Sequence, residues 1–274
     1  MVSRFIHITF RLLAVVALAV ISVGCEVISE GDRLIAIPLP VDTTDRTHVL
    51  IEYTGFRCVN CPKAAQAAEE LHQTYGDRLI IVAMHPASNP FTQGVARYDY
   101  TCDEADEYYK YMGGSATTPF PTGNIDFVQS DHGYMSDYTD WATLLAAAMA
   151  APTQVYLSVQ ATANAAADSL IIRTTYSADA LSECRLVTWI VEDSVQGAQA
   201  MPEGGADTHY IHRHILRRAI GDPWGKAVTA RPFPDELVNT APLQAEAELR
   251  HYSVVAVLMD ENKQIINAKQ TTIQ

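Results

Sequence analysis

Cations are scarce in this chain: 19 Lys and Arg stand against 32 Asp and Glu, leaving 274 residues with a formal charge of -13. A field of that sign repels phosphate backbones, and no Lys/Arg-rich run interleaved with aromatics offsets it, which argues against nucleic-acid binding. The basic stretch from His209 to Arg218 is too short to reverse this. Cysteine is also scarce. Five residues fall far below the roughly 8–10% of a disulfide-built scaffold, so the fold must rest on an apolar core. A long hydrophobic run is missing too: Leu12 to Ile21 is unbroken but well short of the roughly 20 residues that span a bilayer. There is no internal repeat, no second CxxC to complete a zinc set, and no motif that calls for a cofactor. What remains is 48% apolar residues, an ordinary globular share that excludes a disordered chain and allows two domains of usual size.

The N-terminus reads as an address. Residues 1–24 carry Arg4 and Arg11 and no acid, then the apolar run, then Ser22-Val23-Gly24 ahead of Cys25. That is the layout of a secretory signal. Small residues immediately before a cysteine resemble a bacterial lipobox, with Ser22 where Leu is usual. The resemblance implies cleavage before Cys25 and acylation of its thiol, with membrane lipid as the partner of an otherwise soluble chain. Export into an oxidising compartment makes the other four cysteines potential disulfide partners.

Residues 26–47 carry Pro38 and Pro40 around Leu34-Ile35-Ala36-Ile37 and read as a tether with a short edge strand. From His48 the pattern is organised. Val49 to Tyr53 is a buried strand, Cys58 to Tyr75 has helical spacing, and Arg78 to Met84 is a second buried strand, which together make a βαβ unit with a parallel pair. Thr101-Cys102-Asp103-Glu104 is a capping-box pattern opening a helix to about Met112. A strand follows through Ile125 to Val128, and a last helix over 136–150, capped near Thr139. Past Pro152 the runs at 155–161, 170–176, 186–191, 210–216, 252–259 and 264–268 are β-like, with no strong helix between them. Consecutive strands without crossover helices argue an antiparallel, immunoglobulin-like sandwich over 151–274 with Trp189 in its core. The proline-bearing stretch from Arg218 to Ala247 reads as an insertion or loop.

The sharpest motif is Phe56-Arg57-Cys58-Val59-Asn60-Cys61-Pro62 at the junction of a strand and a helix. A helix start and the neighbouring Arg57 favour a thiolate at Cys58, making it the nucleophile and Cys61 the resolving thiol; the same pair read blandly is an inert staple. The strand–CxxC–helix–strand order resembles a thioredoxin-like domain over 48–150. That resemblance implies that Glu52, six residues before Cys58, relays the resolving thiol's proton, and that Phe120-Pro121-Thr122 is the cis-proline segment facing the disulfide, with Thr118-Pro119 competing. Arg57, Val59-Asn60 and Pro62 depart from the thioredoxin pattern. His212 and His214 share a strand face but have no spaced third ligand, so no metal site is assigned. Cys102 and Cys184 are either unpaired or bridge the two domains.

Across nearly the whole mature chain, Tyr53-Thr54-Gly55, Cys58-x-x-Cys61-Pro62, Pro121-Thr122-Gly123, Val191-Glu192-Asp193, His212 to Arg217 and Trp224-Gly225 resemble the Bacteroidota outer-membrane lipoprotein family named for its twenty-eight-kilodalton member. That family implies a lipid-anchored cell-envelope protein joining a thioredoxin-like region to a β-sandwich. Two activities stay open: disulfide exchange with a protein partner through Cys58, Cys61, Glu52 and Pro121, or binding of an extracellular ligand with the CxxC as a staple.

Overall fold

The computed structural model describes residues 46–94, 99–131, 133–164, 166, 168–180, 182–243 and 248–274. The expected signal segment, Cys25 and the tether with its edge strand lie outside them. The described chain is mixed α/β and mostly sheet. Strand β1 (His48–Tyr53) leads to helix α1 (Cys61–Tyr75), a 3-10 turn (Gly76–Arg78) and strand β2 (Leu79–Met84), which pairs with β1 in parallel from His48↔Leu79 to Tyr53↔Met84. Helix α2 (Asp103–Tyr111), strand β3 (Thr122–Ile125), antiparallel to β1, and helix α3 (Trp141–Met149) follow.

Every residue of β1 and β2 is buried, because both faces of the sheet are covered. Leu50, Leu79 and Ile81 meet Ala64 and Ala68 of α1 and Trp141 and Leu145 of α3; Val49, Ile51, Ile80 and Val82 face α2 through Tyr108 and Tyr109.

The remaining strands are β4 (Val155–Ala163), β5 (Ser169–Ala178), β6 (Ser182–Glu192), β7 (Val195–Ala200), β8 (Ala206–His212), β9 (Ile215–Ala219), β10 (Lys226–Ala230), β11 (Asp235–Pro242), β12 (Tyr252–Met259) and β13 (Ile265–Thr272). One sheet runs β13-β12-β6-β9-β2-β1-β3, with β10 also on β6, so segments 48–150 and 151–274 share it. The link is a parallel contact, Ala83↔Ile215, with Ala83 N–H donating to His214 C=O at 2.8 Å. The antiparallel sheet β11-β5-β4 packs on one side of β6 and β12: Leu157, Ile172 and Tyr176 share clusters with Leu186, Ile190, Val254 and Leu258. Side chains of opposite parity, Val187, Trp189, Val191, Val255 and Val257, point toward α2. Trp189 is fully buried, but against the helix: its Nε1 donates to Tyr108 Oη at 2.9 Å.

Several expectations need correction. The 218–247 stretch carries strands β10 and β11, its alternation having been hidden by prolines at turns and at the strand end. The run 210–216 breaks in two at His214, whose φ of 55° turns the chain. Strand β3 begins at Thr122 rather than Ile125. Cys102, not Thr101, is the N-cap of α2, and Glu104 accepts from Ala219 N–H at 2.9 Å instead of closing a capping box. Helix α3 starts at Trp141 behind a 3-10 turn (Tyr138–Asp140), where Asp137 accepts from Thr139 N–H.

Asp126, in the left-handed region at φ 55°, ties the two ends of the described chain together. Its Oδ1 accepts from Val49 N–H at 2.8 Å; Oδ2 lies 2.5 Å from His48 Nδ1 and pairs with Arg46 Nη2 at 3.1 Å; its carbonyl accepts from Ile265 N–H at 2.8 Å. Asp126→Asn keeps the shape and tolerates this backbone but leaves Arg46 and His48 without their carboxylate. Loss of one partner of a buried ionic cluster predicts destabilisation of about 3–5 kcal/mol by urea unfolding. A loss below about 1 kcal/mol, the level of an exposed pair, would show that the junction does not matter.

Candidate functional site

Strand β1 ends in a turn that leaves almost no room. A Cβ on Gly55 would lie 2.5 Å from the Phe91 carbonyl oxygen, and Arg57 N–H donates to the same carbonyl at 3.1 Å. Cys58 N–H then donates to Gly55 C=O at 3.0 Å, and α1 opens at Cys61 with Pro62 in its first turn, where no intrahelical donor is lost. Cys58 and Cys61 form a disulfide with Cα atoms 5.4 Å apart. Phe120, preceding the cis bond to Pro121, shares their apolar cluster with Tyr53 and Met84. The structure therefore brings Cys58, Cys61 and the Phe120-Pro121 segment into one region, with Glu52 at its edge.

The disulfide faces inward. Cys58 is 1% exposed and Cys61 2%, whereas Val59 between them is 48% exposed. Hairpin β7–β8 lies against the motif: Gln199 Nε2 donates to Cys58 C=O at 2.8 Å and to Gly55 C=O at 3.4 Å, and Ala200 N–H donates to Phe56 C=O at 2.8 Å. Thiol exchange needs an attacking sulfur in line with the S–S bond. Here the two cysteines together leave almost no surface to solvent.

Beside the disulfide is a cavity of about 350 Å³ between α1, the ends of β1 and β2, and β8; Glu52, Cys61, His85, Gln199, Tyr210 and His212 line it. Glu52 stands on β1 between Ala83 and Gly123, 3% exposed. Burial pushes its carboxyl up from 4.5 to about 8, against a hydrogen bond with Thr54 that lowers it and the charge of Glu69 that raises it. Oε1 has no hydrogen-bond partner. His85 is 2% exposed with neither ring nitrogen partnered, and burial holds it well below the usual imidazole range. His212 is pushed down to about 4 by burial, although Ala198 C=O, 3.3 Å from Nε2, works the other way. Its ring lies between Tyr100, tilted at 4.4 Å, and Tyr210, edge-on at 4.9 Å. At the rim His214 Nε2 meets Glu69 Oε1 at 2.9 Å and pulls that carboxyl down.

The sequence singled out Cys58, Cys61, Glu52, Pro121 and His212 but missed His85, Gln199 and Tyr210. No local spacing connects a loop at 85 to a hairpin at 199–210. His212 and His214 do not lie on one strand: His212 ends β8 and His214 sits in the turn beyond it. Among the described residues no three metal-ligating side chains converge. Cys102 and Cys184 are free thiols, raised by burial to about 12 and about 11.

The sequence pattern of outer membrane protein Omp28 matches residues 105–274, beyond the CxxC. HBP35 of Porphyromonas gingivalis is similar in fold, with 16% identity and a TM-score of 0.61 over 83% of this chain and 75% of that one. A protein of Agrobacterium tumefaciens known by its crystal structure aligns at 14% identity and a TM-score of 0.50, over 82% of this chain and 93% of its own. No curated protein sequence matches.

The raised carboxyl gives stability a direction with pH. Glu52 ionises near 4.5 in an unfolded chain and about 8 in the folded one, so the folded state holds an extra proton between those values. Stability from this group is full below about pH 4.5 and falls as pH rises toward 8, by on the order of 3 kcal/mol at neutrality. The depressed imidazoles act oppositely below pH 6.5, so Glu52→Gln isolates the carboxyl: between pH 5 and 7.5 its urea-unfolding free energy should fall less than that of the parent. Parallel curves for the two chains would sink the assignment.

Proposed function

Because the chain belongs to the outer membrane protein Omp28 family, we propose that it is an envelope lipoprotein, held to a membrane by lipid on Cys25 after loss of residues 1–24, that binds ligands on a thioredoxin-like scaffold. The Cys58–Cys61 disulfide is a staple in this reading, not an exchanging couple. The observation that carries it is the sealed disulfide, 1% and 2% exposed beneath a hairpin hydrogen-bonded to its own loop. The thioredoxin-like reading of 48–150 is supported by the order β2-β1-β3, the CxxC between β1 and α1, and the cis Phe120-Pro121 bond ahead of β3. An immunoglobulin-like sandwich in 151–274 draws support from the sheet β11-β5-β4 facing β6 and β12.

A second reading, favoured by the buried carboxyl of Glu52 at about 8, keeps the pair active: Cys58 attacks a partner's disulfide, Cys61 resolves the mixed disulfide, Glu52 relays the proton and Pro121 shapes the partner groove.

Equilibrating residues 25–274 against glutathione separates the two. A staple titrates below roughly -300 mV, and a Cys61→Ala chain captures no protein on Cys58. A potential near about -200 mV with a captured partner would transfer the conclusion to exchange. Anchoring has its own test: in the native host the parent chain should take up radiolabelled palmitate and sediment with membranes, while Cys25→Ala should do neither. An unlabelled parent chain would remove the anchor.

A further inference from the structure

Buried acids in folded chains normally sit against a cation. Glu52 does not. Among the described residues its Oε1 has no hydrogen-bond partner, no lysine lines the cavity, and the guanidinium on the wall, Arg213, is 54% exposed and paired with Asp193 at 3.2 Å. The two imidazoles add acceptors: His85 is kept neutral with both nitrogens unpartnered, so one of them offers a lone pair, and His212 has Nε2 near the Ala198 carbonyl with Nδ1 left over. The Tyr210 ring stands edge-on to His212 and forms part of the cavity wall. A chain of net charge -13 also draws cations toward it.

We propose that this cavity binds a small organic cation, its alkylammonium group seated against Glu52 and His85. This rests on reading the chain as a binding protein. The ligand supplies the positive partner that the described residues do not provide, and a volume of about 350 Å³ fits a short aliphatic amine. Other charged and titratable groups facing Glu52 come from each element around it. Helix α1 contributes Glu69, held ionised by His214, and Cys61, which is in the disulfide; the chain after β2 contributes His85; β8 and the turn beyond contribute Tyr210, His212, Arg213 and His214. Glu69 adds to the attraction, and Arg213, turned to solvent, opposes it weakly. Seating an ammonium favours the Glu52 carboxylate, so a proton leaves as the ligand enters. Affinity therefore rises with pH up to about 8, then levels until the amine loses its own proton near ~10.

Calorimetry on residues 25–274 at pH 7, with n-butylamine, n-butanol and a Gly-Gly-Lys-Gly-Gly peptide as probes and phosphate and MOPS as buffers, tests this. Butylamine should bind at least about tenfold tighter than butanol, with close to one proton released; Glu52→Gln should lose at least about tenfold in affinity together with the proton release. Equal binding of amine and alcohol, proton release that persists in Glu52→Gln, or no amine binding overturns the site. Tighter binding of the peptide than of butylamine overturns the small-molecule assignment. If Glu52→Gln fails to fold, carboxyl NMR on the parent chain decides: saturating butylamine should lower the Glu52 midpoint from about 8, and an unmoved midpoint refutes the proposal. The redox titration is independent, so failure of amine binding leaves the staple reading standing.

Discussion

A single buried carboxylate, Asp126, holds the start of β1, the turn after β3 and the start of β13 in one place. Charge and backbone conformation act together there. The left-handed turn aims the carboxylate back at Val49 N–H and His48, while the carbonyl of the same residue caps Ile265. With β1 pinned at its beginning, six buried residues later the chain must leave the sheet at Gly55, and the cysteine pair is set into the first turn of α1.

The second constraint is the shared sheet. In the βαβ unit alone the far edge of β2 would be unpaired, a liability for any sheet. Here β9 meets the end of that edge in parallel at Ala83 and Ile215 and brings with it the turn at His214 and the hairpin β7–β8. The hairpin then reaches the CxxC loop through Gln199 and Ala200. Sealing the disulfide and enclosing Glu52 are thus two effects of one strand pairing. The same burial that covers the sulfurs raises the carboxyl beside them.

Much of this was legible and some was not. Continuous apolar runs marked β1 and β2, and the spacing of Ala64, Ala68 and Leu71 marked α1, because burial on both sheet faces and on one helix stripe leaves different periods. The proline at 121 was legible only through a resemblance of motifs. Strands β10 and β11 are masked in the sequence because their exposed faces carry Lys226, Glu236 and Thr240, and Pro232 and Pro234 sit in the connection between them. Alternation puts Trp189 in a core, and its partner is α2 rather than an opposing sheet, since alternation says that a residue points inward without saying what it meets.

Local chemistry in the sequence determined the strand–CxxC–helix junction, the acidic surface, and the β-rich character past Pro152, since each depends on neighbours a few residues apart. The tertiary structure alone decided that the cysteines lie buried, that no lysine among the described residues stands beside Glu52, and that His85, Gln199 and Tyr210 share its cavity. Those outcomes depend on the pairing of Ala83 with Ile215, across more than 130 residues of chain, and no periodicity within either strand encodes which distant edge it will meet.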